Sequence, residues 1–297
     1  MLFALACATL PAPEQPDWSW DLDRTALPHG ELRVAHLATV TSTAFLSSGS
    51  RWEPHTVPVS ALVYLHPEYG PVLIDTGFGE RTKKDPRDYP GRFTSRMMGL
   101  QVQATLPDLL PDLGYEVADV QHIVCTHLHY DHAGGVEDFP QATLWIGPGE
   151  WDFGSEKRTT RGVDPRPYLA HADHREVPYD DGPYGPFDAH EDLFGDGSVV
   201  LLPSPGHTPG SLSVLVNLPG GSFLYTGDAA WVDANWQLPT PKGKLARDLV
   251  EIDWEQGMQA QWRYKWWAER YPDQLTVVAG HEPANVDRLR AWPEPYR

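Results

Sequence analysis

Apolar residues recur in short continuous or alternating runs from residue 31 onward. In the first half of the chain, runs rich in β-branched side chains occupy residues 34–40, 57–65, 71–74, 122–125 and 142–146. Such runs are typical of β-strands. The pattern therefore predicts that a β-sheet begins the fold.

Four further runs predict strands in the second half of the chain, at residues 198–202, 211–215, 222–225 and 275–279. Helical spacing of apolar residues appears over residues 102–113 and over residues 254–270. Gly114 follows the first of these stretches and is a typical helix stop. Strands and helices mixed in this way indicate an α/β protein.

Two stretches of the chain show neither the strand pattern nor the helical spacing of apolar residues. Residues 147–197 carry many Pro, Gly and Asp residues, and we expect a loop-rich insertion there. Residues 1–30 begin with ten apolar or small residues and continue into a proline-rich segment that suits neither helix nor strand. We therefore expect an N-terminal tail over 1–30 and one domain over 31–297.

The tail resembles the end of a bacterial lipoprotein signal, in which a Cys behind small and apolar residues becomes lipidated. Here that residue is Cys7, although the positively charged start of such a signal is missing. We expect an exported protein with a possible lipid anchor at Cys7. The alternative is a cytoplasmic protein with a plain N-terminal arm.

Composition narrows the possible partners. The chain has 297 residues, enough for one large core, and 41 acidic against 23 basic residues give a net charge of −18. This charge opposes a polyanionic partner, so nucleic acid is not expected. No apolar run reaches the roughly 20 residues of a spanning helix. The two cysteines, Cys7 and Cys125, lie far apart and predict neither a disulfide framework nor a cysteine zinc ribbon.

The segment 126–132, THLHYDH, concentrates metal-binding side chains directly after a predicted strand. Extended geometry places His127 and His129 on the same side, while Asp131 and His132 begin the next turn. Imidazole and carboxylate groups suit zinc and related metals, and an open site takes about three protein ligands. Four ligands are too many for one open site and too few for two.

Further candidate ligands follow other predicted strands. His207 lies in the segment PGHTPG, Asp228 in TGD and His281 in GHEP. A glycine beside each of them lets the backbone turn sharply and approach a ligand closely. Together with the first four side chains, five histidines and two aspartates can hold two metal ions.

These motifs, in this order, resemble those of the metallo-β-lactamase superfamily. The resemblance implies a four-layer αββα sandwich with its site at one edge of the two sheets. The segment 73–77, LIDTG, also resembles the family's early motif. It implies that Asp75 supports a metal-binding histidine from behind. The alternative is an aspartate that hydrogen-bonds its own turn.

The resemblance also implies how the ligands divide between the metals. The first metal would be held by three histidines, His127, His129 and His207. The second would be held by Asp131, His132 and His281. Asp228 would bridge the two ions, and zinc is the expected metal.

Such a pair implies hydrolysis. Two metals about 3.5–4 Å apart lower the pKa of a bridging water, so that hydroxide forms near neutral pH and attacks a polarised carbonyl. We expect Asp131 to carry the proton from the attacking water to the leaving group. No nucleophilic Ser or Cys is required.

Within the superfamily, the segments GHTPGS, TGDA and GHEP resemble those of the quorum-quenching N-acyl-homoserine lactonases. The implied substrate is a small lactone or related carboxylic ester. The bridging Asp228 argues against antibiotic hydrolysis, because true β-lactamases usually lack it. A thioester hydrolase of the hydroxyacylglutathione hydrolase type is one alternative, although the basic C-terminal region of that group is missing. A non-catalytic metal-binding protein is the other.

One position departs from the lactonases. Many of them have a tyrosine three residues after the bridging aspartate, where this chain has Trp231. An indole offers one N–H donor and no ionisable hydroxyl. We expect Trp231 and Trp236 to line the substrate pocket, with a core position as the alternative for Trp231.

Overall fold

Two β-sheets lie face to face in the computed structural model, which describes residues 12–43, 54–156, 161–171 and 173–297. The first, seven-stranded sheet has the order β5-β1-β2-β3-β6-β7-β8 and consists of β1 (Glu31–Thr43), β2 (Pro54–His66), β3 (Gly70–Ile74), β5 (Gln101–Val102), β6 (His122–Val124), β7 (Thr143–Ile146) and β8 (His174–Glu176). A short strand, β4 (Gly77–Phe78), follows β3.

The second, five-stranded sheet has the order β13-β12-β11-β10-β9. Its strands are β9 (Glu191–Asp192), β10 (Val199–Pro203), β11 (Leu212–Leu218), β12 (Gly221–Tyr225) and β13 (Leu275–Val278). In the first sheet β3, β6, β7 and β8 run parallel, and in the second β12 and β13 do. Because β11 is antiparallel to both β10 and β12, β10 runs in the same direction as β12.

Nine helices are present in the described residues. They are α1 (Glu80–Lys84), α2 (Arg92–Met97), α3 (Leu106–Leu109), α4 (Tyr130–Ala133), α5 (Glu150–Gly154), α6 (Asp233–Gln237), α7 (Lys244–Val250), α8 (Trp254–Arg270) and α9 (Asn285–Arg288). Asp253 caps α8 by accepting a hydrogen bond from the backbone N–H of Gln256 at 3.0 Å. None of the helices in the described ranges is long and apolar enough to cross a membrane.

Three buried layers hold the sheets and helices together. Between the sheets, Leu62 and Ile74 of the first sheet share one apolar cluster with Val214 of the second. A second cluster packs the outer face of the first sheet under α3. A third packs the outer face of the second sheet under Tyr264 and Trp267 of α8. The layers thus follow the αββα order, as expected from the sequence.

The predicted helix over residues 102–113 is broken in the structure. Its first residue, Val102, lies in β5, and the rest divides into α3 and a 3₁₀ turn, Leu110–Leu113. The reason is Pro111, which has no N–H to continue the helical hydrogen-bond pattern. Gly114 ends the turn in the left-handed conformation, with φ of 80°, as a helix stop requires.

Residues 18–30 pack on the domain, although the sequence predicts a tail over 1–30. The ring of Trp20 lies edge-on to Trp267, with 5.0 Å between the ring centroids. Arg24 donates a hydrogen bond to the backbone oxygen of Leu218 at 2.8 Å. Burial of Trp18 and Trp20 favours packing of these residues on the domain, because each indole covers a large apolar area. Cys7, the expected lipid anchor, lies outside the described residues.

Candidate metal centre

Strand direction brings the predicted ligands to one edge of the sandwich. Residues 127–132 follow β6, and Asp75 follows the neighbouring parallel strand β3. His207, Asp228 and His281 follow β10, β12 and β13, which run in one direction in the second sheet. The carboxyl ends of strands that run together meet at the same edge, so these loops converge.

Glycines permit the close approach of the loops. Gly206 has φ of 139°, and a Cβ there would lie 2.3 Å from the backbone nitrogen of Gly257 in α8. Gly227 has φ of 49°, and a Cβ there would lie 2.6 Å from Oγ1 of Thr126. Any larger residue would push the loops that carry His207 and Asp228 away from the site.

All seven predicted ligands meet in two groups. Within each group the candidate ligand atoms lie within 4.8 Å of one another. One group contains His127, His129, His207 and Asp228, and the other contains Asp131, His132 and His281. This division matches the one that the family resemblance implies.

Asp228 lies between the two groups. Its Oδ2 is 3.2 Å from Nε2 of His207 and 3.8 Å from Nε2 of His127. Its Oδ1 is 3.2 Å from Nε2 of His132 and 3.1 Å from Nε2 of His281. One carboxylate therefore presents one oxygen to each group, which is the geometry of a bridging ligand.

Several of these ligand atoms have no hydrogen-bond partner among the described residues. Nε2 of His127, Nε2 of His132 and Oδ1 of Asp228 are buried and meet no described partner in hydrogen-bonding geometry. Buried polar atoms without partners are costly, and a divalent cation coordinates nitrogen and carboxylate oxygen together. The residues present therefore fit a pair of metal ions.

Burial and neighbouring charges hold three of the seven ligands in the protonation state that metal binding needs. Burial, reinforced by the neighbouring histidines, holds the pKa of His127 and of His129 well below the usual 6.5. Both rings are thus neutral near pH 7 and offer lone pairs. Burial opposes charge on Asp228, but His281, His132 and His207 hold its pKa well below 3.8. It is therefore a carboxylate. Burial opposes charge on His132 and His281 too, but the neighbouring aspartates raise the pKa of both rings, so metal binding there must displace a proton.

Asp75 orients the histidine-rich segment. Its Oδ2 lies 2.6 Å from Nδ1 of His132, which directs Nε2 of that ring toward the site. The same carboxylate accepts hydrogen bonds from the backbone N–H and the hydroxyl of Thr126, at 2.7 and 2.9 Å. Asp75 itself adopts φ of 57°, a conformation that costs free energy outside glycine and is held here by these contacts.

Two further ligands are oriented by groups that the sequence analysis did not identify. Nδ1 of His207 lies 2.6 Å from Oε1 of Glu251. Nδ1 of His281 lies 2.8 Å from the backbone oxygen of Pro58. Each partner accepts the Nδ1–H and so leaves Nε2 as the metal-binding atom. No motif marks either partner, because both come from distant parts of the chain.

Glu150, in the segment expected to be a surface insertion, is fully buried. Its Oε1 accepts the backbone N–H of Leu128 at 2.8 Å, and its Oε2 accepts that of Gly210 at 3.0 Å. One carboxylate thus joins the loop of His127 and His129 to the loop of His207. Residues 147–197 have no helical or strand pattern, so the sequence did not predict that Glu150 is buried or that it joins these loops.

A cavity of about 720 Å³ opens above the candidate metal centre. His129, Asp131, His207, Asp228 and His281 form part of its lining. The remaining lining is mostly apolar and includes Val40, Val57, Phe93, Met97, Met98 and Leu249. Such a cavity suits an apolar substrate group placed over a polar reacting centre.

The two tryptophans expected in the pocket lie in different surroundings. Trp231 lines the cavity, and its indole N–H donates to Oδ2 of Asp228 at 2.7 Å. Trp236 is not among the described residues that line the cavity, so the prediction that it lines the pocket is wrong. Its ring packs against the apolar cluster under α8, and its N–H donates to Asp233 at 3.1 Å. Helix α6 turns its side chain away from the site.

Comparisons with known proteins agree with the fold and the metal-binding residues described above. Residues 56–281 match the family model described as the metallo-beta-lactamase superfamily. The chain is 29% identical over 244 residues to the N-acyl homoserine lactonase AttM of Rhizobium radiobacter, covering 82% of this chain and 88% of that protein. It is 30% identical over 239 residues to a probable metallo-hydrolase of Mycobacterium tuberculosis, covering 72% and 71%.

Solved structures agree on the fold. A crystal structure of a Bacillus thuringiensis AiiA variant, with N-decanoyl-L-homoserine bound at its active site, aligns with a TM-score of 0.72. The identity is 22%, and the alignment covers 91% of this chain and 100% of that one. AidC, a dizinc quorum-quenching lactonase, aligns with a TM-score of 0.60 at 16% identity, covering 91% and 90%. The chain belongs to the metallo-beta-lactamase superfamily.

Proposed function

We propose that the protein is a dinuclear metal-dependent hydrolase that opens lactones with an apolar acyl group, N-acyl homoserine lactones in particular. The observation that carries this proposal is the position of Asp228, with one oxygen toward each ligand group, at the base of a largely apolar cavity. The lactonase activity in the name of AttM and the N-decanoyl-L-homoserine bound to the AiiA variant support it. Zinc is the proposed metal, because histidine and carboxylate ligands suit it.

The chemistry divides between the metals and the chain. A pair of divalent ions, when bound, supplies Lewis acidity that activates water and polarises the ester carbonyl. His127, His129 and His207 would hold one ion, and Asp131, His132 and His281 the other. Asp228 would contact both ions, so its position sets the spacing between them.

Asp131 is the residue of the chain best placed to move a proton. It lines the cavity, and its Oδ2 lies 3.5 Å from Nε2 of His281 while its Oδ1 is 4.0 Å from Nε2 of His132. One of its oxygens would contact a metal ion, which would leave the other oxygen for the substrate. We propose that this carboxylate takes a proton from the attacking water and delivers it to the alkoxide that leaves when the ring opens.

The cavity lining favours acyl lactones over glutathione thioesters. Arg92 is the one lysine or arginine among the described lining residues, whereas a glutathione group carries two carboxylates that need cationic partners. The apolar wall instead suits an acyl chain, whose burial contributes about 0.8 kcal/mol for each CH₂.

A substrate panel tests the proposal. Metal-loaded protein is assayed with homoserine lactones of increasing acyl length, an acyl-glutathione thioester, a β-lactam and a phosphodiester. We expect the highest kcat/KM for the longer acyl lactones, loss of activity in chelator-treated protein and recovery on adding Zn²⁺. Turnover confined to the thioester or the phosphodiester would refute the substrate assignment.

A lipid anchor at Cys7 is a separate proposal. The small and apolar residues before this cysteine and the proline-rich segment after it support it. Mass spectrometry of native protein from the membrane fraction tests it, with a diacylglyceryl-modified Cys7 as the expected result. An unmodified Cys7 in a protein recovered from the cytosol would refute it.

A further inference from the structure

A buried ion pair lies beside the metal centre but outside the cavity lining. Nζ of Lys242 is 2.5 Å from Oε1 of Glu251, and the two side chains are 2% and 6% exposed. A buried ion pair is weak evidence for stability as such, which leaves its role to be explained by what it contacts.

Both members contact a metal ligand. Oε1 of Glu251 accepts the Nδ1–H of His207 at 2.6 Å, which directs Nε2 of that ring toward the site. Nζ of Lys242 donates to the backbone oxygen of Asp228 at 2.5 Å. One ion pair therefore joins the loop after β10 to the loop after β12.

Lys242 also supports the residue that contacts the side chain of Asp228. Its Nζ lies 4.5 Å from the centre of the Trp231 ring, within the range of a cation–π interaction. The indole N–H of Trp231 in turn donates to Oδ2 of Asp228 at 2.7 Å. The ammonium thus constrains Asp228 both through its backbone and through its hydrogen-bond donor.

The ion pair joins the two ends of a short segment that forms part of the cavity wall. Lys242 precedes α7 and Glu251 follows it, and Leu249 and Val250 of α7 line the cavity. Immediately after Glu251, the backbone N–H of Ile252 donates to the oxygen of Gly206 at 3.0 Å. The segment is thereby fixed at both ends against the two loops that carry His207 and Asp228.

We infer that Lys242 and Glu251 form a positioning pair that holds His207 and Asp228 in metal-binding geometry and anchors α7 to them as a wall of the substrate cavity. The inference rests on the metal binding in the proposed function, but not on the identity of the substrate. Neither residue lines the cavity, so neither is assigned a catalytic role.

Metal titration of the apoprotein tests the pair directly. Co²⁺ is titrated in competition with a chromophoric chelator, and the visible spectrum reports the ligand geometry. The variants are Glu251→Gln, which keeps an acceptor for His207 but not the charge, and the double variant Lys242→Met with Glu251→Gln, which removes both charges together. Removing both avoids an unpaired buried charge, so the double variant is expected to fold.

We expect both variants to bind one of the two Co²⁺ ions about 10–100-fold more weakly, with an altered visible spectrum, as is typical when partners of metal ligands are lost. Hydrogen exchange of residues 244–250 should slow on metal binding in the original chain and respond less in the double variant. Arg33→Met is the matched control, because Arg33 is 7% exposed and pairs with Glu31 at 2.6 Å, and neither Glu31 nor its other described partner, Pro293, is a predicted ligand.

Unchanged Co²⁺ affinity and spectrum in the folded double variant would overturn the inference. So would an equal loss of affinity in Arg33→Met, since the effect would then follow stability alone. The readout does not depend on turnover. A chain that binds two Co²⁺ ions but fails to open lactones would therefore refute the proposed substrate and leave the positioning pair intact.

Discussion

The indole nitrogen of Trp231 lies 2.7 Å from Oδ2 of Asp228, the carboxylate placed between the two ligand groups. At the same position, many of the lactonases that the sequence motifs resemble have a tyrosine. Here the single N–H of the indole is already committed to Asp228, so it cannot also polarise the substrate. The ring instead lines the cavity and fixes the bridging carboxylate.

Replacing Trp231 by phenylalanine should separate these two contributions. Trp231→Phe keeps an aromatic wall but removes the donor to Asp228, so we expect kcat on acyl lactones to fall about tenfold with a smaller change in KM. Steady-state kinetics of metal-loaded protein measure both. Trp236→Phe is the matched control, because Trp236 also donates to an aspartate three residues earlier but does not line the cavity. Equal effects of the two changes would contradict the assignment.

The ligand set could be predicted from the sequence because each ligand follows a strand within a short motif. Residues 127–132, His207, Asp228 and His281 all have this placement, and the structure brings them together. The partners behind them could not be predicted. Glu251 contacts His207 across 44 positions of chain, and no motif in the sequence marks it.

In the fold, too, elements with long sequence patterns could be predicted and contacts between distant residues could not. The apolar run of β11 and the helical spacing of α8 indicate their elements because both patterns span many residues. The helix predicted over residues 102–113 is wrong, because Pro107 and Pro111 interrupt the apolar spacing and each lies in the first turn of a separate short helix. The packing of Trp20 on Trp267 depends on contacts between the ends of the chain, which local patterns do not contain.

Metal content should depend unequally on the two aspartates of the site. We expect about two metal ions per chain, and loss of more than one in Asp228→Ala, because its two oxygens face both ligand groups. Asp131→Ala should lose no more than one, since Asp131 belongs to the second group alone. Elemental analysis of purified protein measures this. Retention of both ions in Asp228→Ala would exclude a bridging role.

Acyl-chain length should affect KM through the cavity wall. If the chain is buried there, KM should fall about threefold to fourfold for each added CH₂ until the cavity is filled. Leu249→Ser should weaken this dependence, because Leu249 lines the cavity. Leu238→Ser is the control, since Leu238 is 71% exposed and lies outside the lining. A length dependence that is the same in both variants would place the acyl chain elsewhere.

Glu150 should matter for folding as well as for metal binding. Glu150→Gln replaces one acceptor oxygen by an amide group that cannot accept the N–H of Leu128 or Gly210, so we expect a loss of about 1–3 kcal/mol in the free energy of unfolding. Denaturant unfolding of the apoprotein measures it. Glu176→Gln is the control, because Glu176 accepts a comparable hydrogen bond from the N–H of Gly149 at an exposed position. Equal stabilities of the two variants would contradict a joining role for Glu150.

Asp138 should make the protein less stable as pH rises through weakly acidic values. Burial, together with the charges of Glu137 and Glu80, raises its pKa from 3.8 to about 6. Between these two values the folded state binds more protons than the unfolded state, so the free energy of unfolding falls as pH increases from about 4 to about 6. The loss contributed by this group is on the order of 2 kcal/mol.

Asp138→Asn tests this relationship, because asparagine keeps an acceptor for the N–H of Glu80, which lies 2.9 Å from Oδ2 of Asp138, and cannot ionise. We expect the variant to match the original chain near pH 4 and to be more stable above pH 6, as measured by denaturant unfolding at several pH values. Asp85→Asn should show the opposite sign, since the hydrogen bond from Arg87 lowers the pKa of Asp85. Its contribution is present above pH 4 and lost as pH falls, so removing it destabilises the protein at neutral pH. Parallel pH profiles for Asp138→Asn and the original chain would show that the charge on Asp138 carries no such cost.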